Sequence, residues 1–332
     1  MLRKNMTRRA ALGHLGTGLL ATATVRGAMA QSGPYPNRPI KIIVPWAAGG
    51  GGDVIVRLMA PSLTQRLGQP IVVENRPGAI GTIGSLAAAR SPADGYTLVY
   101  AGADSHSIAP HVVKRIPYDA KKDFIAIAPI GAFPLGLVVP TAHPAKTLAQ
   151  FIQMAKDAKE PLTFGSWSLG SSGHITMEAF KQAAKVNLLH VPYNGTAPLV
   201  QAQLAGQIDC SINALSVVEP HVRAGTLRLL AITAKERVPQ FPDIPIMREM
   251  GISIDMGPWI GLFAPAGVPA ETIARLHDAI DATLQEPAIV EQTKKMIMVI
   301  DHMDQRAYQQ FANSEFDRWG DYIRTAKVTL DQ

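Results

Sequence analysis

The chain has 332 residues, with 32 Lys and Arg against 26 Asp and Glu, nine His and a single Cys. Five of the basic residues, Arg3, Lys4, Arg8, Arg9 and Arg26, fall in the first thirty positions, which hold no acid, so the formal net charge of +6 drops by five, to +1, over the rest. That balance excludes an electrostatic footprint for nucleic acid or an anionic membrane surface, and the lone Cys210 excludes an internal disulfide.

The first thirty residues read as an export signal. Paired Arg8 and Arg9 precede a weakly apolar stretch, ALGHLGTGLLATATV, and Ala28, Met29 and Ala30 fit a small-residue cleavage site. The pattern is twin-arginine-like and predicts cleavage near Ala30 and delivery to the periplasm. A membrane anchor needs about 20 predominantly apolar residues, whereas Gly13, His14, Gly16 and Gly18 interrupt this one. No later run reaches that length, so stable membrane insertion is not expected. The remaining roughly 300 residues exceed what one core usually supports, which predicts two domains.

Beyond the leader, apolar strands alternate with helices in chain order. The predicted strands are 40–44, 71–75, 97–102, 135–140, 162–166, 208–213 and 227–233. The predicted helices are 53–67, 82–90, 147–158, 173–184, 196–205, 270–285 and 305–325. Continuously apolar strands between helices indicate α/β architecture, with mainly parallel sheets covered on both faces. Two similar lobes are expected: lobe 1 from 34–133 and 259–332, lobe 2 from 134–258, with crossings at 130–140 and 258–266. Tyr308, Phe311, Phe316, Trp319 and Tyr322 recur at helical spacing and read as core packing.

Chemistry is expected where strands end. PWAAGGGGD follows strand 40–44 and opens a helix, so the backbone of Ala47, Gly49, Gly50, Gly51 and Gly52 could cradle an anion at a helix N-terminus. No Lys completes a P-loop and no third glycine completes a dinucleotide fingerprint. An ordinary turn, with Asp53 capping its helix, is the alternative. GAIGTIG supplies Gly81 and Thr82 in a second such loop, and GSWSLGSSGH supplies Ser166, Ser171, Ser172 and His174 in a third. Tyr193 and Thr196 flank the turn YNGT, and Asn213 closes strand 208–213. No GxSxG elbow is present and no His falls at metal-ligand spacing, so no catalytic residue, metal or cofactor is assigned.

Together, YPNRPIKIIVPWAAGGGGD, VVENRPGAIGTIGS, SPADGYTLVY, HVPYNGTAPLVQAQLAGQID, LRLLAITAKERVPQFPDIPIMREMG and GLFAPAGVPAETIARL resemble the substrate-binding receptors of tripartite tricarboxylate transporters, the Bug receptor family. The resemblance runs from about residue 35 to the C-terminus. It implies a type II-like, two-lobed periplasmic binding protein fold: two mixed, mainly parallel sheets flanked by helices, with a ligand cleft between lobes. It also implies a monomer that closes on a small carboxylated solute, held by main-chain amides and hydroxyls, and delivers it to membrane transporter subunits. Trp46, where the family often has Phe, and the inserted Trp167 suggest a flat or aromatic solute, unless either indole packs against the hinge. Two other functions are open to the same residues: a periplasmic enzyme with His174 or Asp53 as general base, and a ligand-presenting partner of a membrane sensor kinase.

Overall fold

The computed structural model describes residues 34–254 and 257–326; the expected export segment lies outside them. In chain order the elements are β1 (Ile40–Val44), α1 (Gly51–Leu67), β2 (Ile71–Asn75), α2 (Thr82–Ala89), β3 (Thr97–Gly102), α3 (Ala109–Val112), β4 (Phe124–Ala132) and β5 (Leu135–Pro140). The chain continues through α4 (Leu148–Asp157), β6 (Leu162–Ser166), α5 (Ser172–Ala184), β7 (Leu188–Pro192), α6 (Thr196–Leu204), β8 (Cys210–Ala214), α7 (Leu215–Arg223) and β9 (Leu227–Thr233). It ends with β10 (Trp259–Pro265), α8 (Ala270–Leu284), α9 (Pro287–Lys295) and α10 (Gln305–Ala326).

The strands form two five-stranded sheets, ordered β2-β1-β3-β10-β4 and β7-β6-β8-β5-β9. Both follow one plan. Three parallel strands stand together, and a fourth, antiparallel to both its neighbours, separates them from the last. In the first sheet that inserted strand is β10, which arrives late in the chain; in the second it is β5, the first strand after the chain leaves the first sheet. The sheets are therefore mixed and mainly parallel, as expected: in each, four of the five strands run the same way and only the inserted one is reversed.

Of the two expected crossings, the one within 130–140 matches the passage from β4 in the first sheet to β5 in the second, and the other does not. Most of 258–266 is β10 (Trp259–Pro265), inside the first sheet. Within 130–140 only Phe133 and Pro134 separate β4 from β5. β4 was hidden from the sequence because FIAIAPIGA carries Pro129 and Gly131, which read as turn residues. As an edge strand it tolerates proline, and Pro129 pairs with Gly261 beside a register shift. β7, also missed, is a half-exposed edge strand without an apolar run.

Local chemistry accounts for the helices that bear on the cleft. α1 buries Ile55, Val56, Met59, Leu63 and Leu67 on one stripe and stops at Gly68, whose left-handed conformation (φ +71°) lets its N–H reach the Thr64 carbonyl. α5 starts at Ser171, whose hydroxyl accepts the His174 N–H. α10 packs on both β4 and α5. Its Tyr308 and Trp319 are fully buried and Phe311 and Tyr322 pack against the same core, so the aromatic stripe serves packing. No helix among the described residues is long and apolar enough to cross a membrane.

Candidate functional site

The carboxyl ends of β1, β3, β6 and β8 converge on a cavity of about 280 Å³, near the small end of the usual ligand range of roughly 300–1,000 Å³. The first sheet contributes Trp46, Gly50, Gly51, Gly52, Tyr100, Asp104 and Trp259 to its wall, the second Trp167, Thr196, Asn213 and Ser216; Phe133, from the crossing between β4 and β5, completes it. Close approach at its edge requires glycine: a Cβ on Gly102 would sit 2.0 Å from the Trp259 carbonyl oxygen, on the neighbouring strand.

The glycine loop is held open by Asp53. Its carboxylate accepts the Gly49 N–H (2.9 Å), an Asn75 Nδ2–H (2.9 Å) and the Arg57 Nε–H (2.9 Å). The Arg57 hydrogen bonds, with the Gly49 amide and Asn75, hold its pKa at about 2 against the opposing effect of burial. Asp53 sits in the first turn of α1 and reaches back to the loop, much as a capping-box acid does. Asn75 also donates to the Trp46 carbonyl (3.1 Å). Gly50 caps α1 without any side chain, so the amides of Gly51 and Gly52 remain at the cavity rather than being consumed by a cap.

Of the residues singled out from sequence, Trp46, Gly50, Gly51, Gly52, Trp167, Thr196 and Asn213 line the cavity. The others lie behind or beside it. Ala47 and Gly49 are exposed on the loop, and Asp53 is buried in its ion pair. Gly81, at φ +81°, packs beneath the Trp46 ring, and Thr82 is buried at the start of α2. Ser166 donates to the Ser168 carbonyl and pairs with His190 Nε2 (2.7 Å). Ser171 is the cap of α5, and Ser172 donates its N–H to Asp104 Oδ1 (2.8 Å). His174 accepts the Gly170 N–H and stacks on His190. Tyr193 is half-buried and gives its N–H to the Ser166 carbonyl.

The sequence reading missed Tyr100, Asp104, Phe133, Ser216 and Trp259. Asp104 stands in a π-helical turn, Ala103–Ile108, immediately after β3. The rule that flagged the other loops, a polar segment at the carboxyl end of a buried strand, applied equally to ADSHS. Burial pushes the Asp104 carboxyl above its usual pKa, with the Ser172 amide opposing. Burial likewise raises Tyr100.

Two buried polar atoms on the wall have no partner among the described residues: Trp259 Nε1, a donor, and Asn213 Oδ1, an acceptor. The orientation of Asn213 is fixed by a relay. Gln203 Nε2 donates to the Val138 carbonyl (2.8 Å), Ser211 Oγ to Gln203 Oε1 (2.6 Å), and Asn213 Nδ2 to Ser211 Oγ (2.7 Å). A carbonyl only accepts, so each member has one permitted direction and Asn213 keeps Oδ1 free.

Comparison with known proteins agrees with this geometry. The sequence profile of the tripartite tricarboxylate transporter family receptor, TctC, matches residues 55–328. The chain belongs to this family. The receptor is 35% identical to protein BugT of Bordetella pertussis over 330 residues, 98% of this chain and 99% of the relative. A structure of Rpa4515 of R. palustris with adipate superposes with a TM-score of 0.81 at 29% identity, covering 89% of this chain and 99% of the other. MatC of Rhodopseudomonas palustris with bound malate gives 0.77 at 29% identity, covering 87% of this receptor and all of MatC. The periplasmic binding protein fold and a solute-binding role follow.

Proposed function

We propose that this receptor, after export to the periplasm, captures a small carboxylate-bearing solute in the cavity and delivers it to the membrane subunits of a tripartite tricarboxylate-type transporter. The two sheets act as the cores of two lobes, 34–133 with 259–332 and 134–258, that close on the solute as a single chain. The observation that carries this reading is the uncapped first turn of α1 opening on a cavity walled by strand ends from both sheets. Main-chain N–H groups at a helix start bind anions without a basic side chain, and in a water-poor cleft each such donor counts for more. Trp259 Nε1, buried without a partner among the described residues, is a further donor for the same carboxylate. The adipate and malate bound by the two relatives support the solute class. Neither His174 nor Asp53, the candidate general bases, lines the cavity, and burial, with His190 and Lys181 nearby, lowers His174 to about 3, a poor base at neutral pH.

Thermal unfolding against mono-, di- and tricarboxylates and aromatic acids, with sugars as controls, tests the proposal. A ligand that binds only the folded state at about 100 times its Kd adds roughly 2.7 kcal/mol, a readable rise in melting temperature. A rise with acids and none with sugars is expected; the reverse would overturn the assignment.

A further inference from the structure

We propose that the solute carries, besides its carboxylate, a protonated amine, held by Asp104 and Asn213 inside an aromatic box made of Trp46, Tyr100, Phe133, Trp167 and Trp259. This deepens the function proposed above and rests on it for the carboxylate half alone.

The argument begins with charge. Of the described residues that line the cavity, Asp104 is the only acidic one, and no Lys or Arg lies among them. A carboxylate removed from water needs a partner of opposite charge or several donors. Asp104 Oδ1 has one, the Ser172 N–H at the start of the 13-residue helix α5. The Ser172 hydroxyl also acts on the carboxylate, but no positive charge faces it from the cavity lining. A dicarboxylate would bring a second negative charge into the cavity against it, whereas an ammonium group would neutralise it.

The second observation is independent of Asp104. The relay from Val138 leaves Asn213 Oδ1 as a fully buried acceptor without a donor among the described residues. A carboxylate has no proton to give it, but an ammonium does. The orphaned Trp259 Nε1–H has the opposite need and suits the carboxylate end. The cavity therefore holds unmet donors and unmet acceptors together, as a zwitterion requires.

The third observation is the wall itself. Five aromatic residues line a cavity of about 280 Å³. A cation within about 6 Å of a ring centroid is attracted by the negative ring face, and enclosing cations in boxes of this kind is a recurring use of aromatic residues. An aromatic box around a carboxylate and an unpaired acceptor has the composition of an ammonium site.

The test is a series of matched probes titrated calorimetrically into the purified protein and into Asp104→Asn. The linear set is 6-aminohexanoate, adipate, hexanoate and hexylammonium; the aromatic set is 4-(aminomethyl)benzoate, terephthalate and 4-methylbenzoate. Asp104→Asn keeps an oxygen for the Ser172 N–H and removes the charge, so a purely structural role for Asp104 predicts no change in ligand preference. In at least one set the zwitterion is expected to bind at least tenfold more tightly than its diacid and monoacid counterparts, and Asp104→Asn is expected to abolish that preference. Diacids that bind as tightly as zwitterions, or a preference that survives Asp104→Asn, would overturn the inference while leaving the carboxylate receptor standing. Hexylammonium binding as tightly as 6-aminohexanoate would retain the amine site and overturn the carboxylate half. If no probe binds, both fail.

Discussion

The imidazoles of His174 and His190 stack face to face, with ring centroids 3.9 Å apart and planes 11° from parallel. Two charged rings would repel at that distance. Burial lowers His174 to about 3 and His190 to about 4, and burial alone lowers His106 to about 3. All three are neutral in the folded receptor at neutral pH. In the unfolded chain a histidine titrates near 6.5, so below that pH the unfolded state binds more protons than the folded one. Their contribution to stability is therefore complete above about pH 6.5 and is lost progressively as pH falls toward the folded values. The loss reaches at most about 1.4 kcal/mol per pH unit for each fully buried imidazole. Asp104 and Asp301, with raised pKa values, act in the opposite sense. The melting temperature is expected to fall by several degrees between pH 7 and pH 5, and His106→Asn to flatten that slope. A pH-independent melting temperature across this window would contradict the assignment of neutral buried histidines.

Asp53 organises the cradle without lining it. Asp53→Ala removes the acceptor for the Gly49 N–H, for Asn75 and for Arg57 together, and Asn75 in turn steadies the Trp46 carbonyl. A loss of about 1–3 kcal/mol of stability is expected, from donors left without a partner, together with a larger loss of solute affinity as the glycine loop relaxes. Urea denaturation and calorimetry on the same preparation separate the two. Asp53→Asn, which keeps acceptor oxygen, is expected to fall between Asp53→Ala and the unaltered receptor. Unchanged affinity in Asp53→Ala would show that the loop needs no clip.

Much of the fold was legible because most of its strands are continuous apolar runs and its helices carry ordinary start and stop signals. β1, β2, β3, β5, β6 and β9 stand at the residues where the apolar runs placed them. What hid β4 was Pro129 and Gly131, acceptable on an edge strand but indistinguishable from turn residues in one dimension. The site was half legible for a related reason. Glycine-rich and serine-rich loops advertise themselves, whereas Tyr100 and Trp259 sit in buried strands and look like core until the sheets assemble. Asp104 lay in plain view after β3, but in a π-helical turn that no periodicity marks. Conversely Ser171, Ser172 and His174 carried the composition of a binding loop, yet the hydrogen bonds of Ser171 and His174 turn inward to build the first turn of α5, and Ser172 gives its N–H to Asp104.

Adjacent glycines in the cradle are expected to differ in tolerance. A Cβ on Gly51 would meet Phe133 Cζ at 3.8 Å, an ordinary contact, whereas one on Gly52 would lie 2.7 Å from Tyr100 Cε1. Gly51→Ala should leave stability unchanged or raise it by up to about 1 kcal/mol, since alanine favours the helix over glycine. Gly52→Ala must displace a buried tyrosine ring and should cost about 1–3 kcal/mol. It should also lower solute affinity, because Tyr100 forms part of the wall. Equal urea midpoints for the two variants would contradict the packing of Tyr100 against the α1 start.

Ser211 is the pivot of the relay that sets Asn213, and it touches neither the cavity nor solvent. Ser211→Ala strips the donor from Gln203 Oε1 and the acceptor from Asn213 Nδ2 in one step. Both partners are fully buried, so the desolvation penalty of each is exposed, about 1–3 kcal/mol apiece. With its amide no longer anchored, Asn213 can rotate by half a turn and present Nδ2 where Oδ1 stood. A ligand that donates to Asn213 would then meet a donor. Ser211→Ala is therefore expected to weaken binding of an ammonium-bearing solute more than that of the matched monoacid, although the substituted residue contacts neither. Ser211→Thr, which restores a hydroxyl, should recover the selectivity even where the extra methyl group lowers stability. Equal weakening of both ligands by Ser211→Ala would indicate that Asn213 shapes the wall without reading the solute.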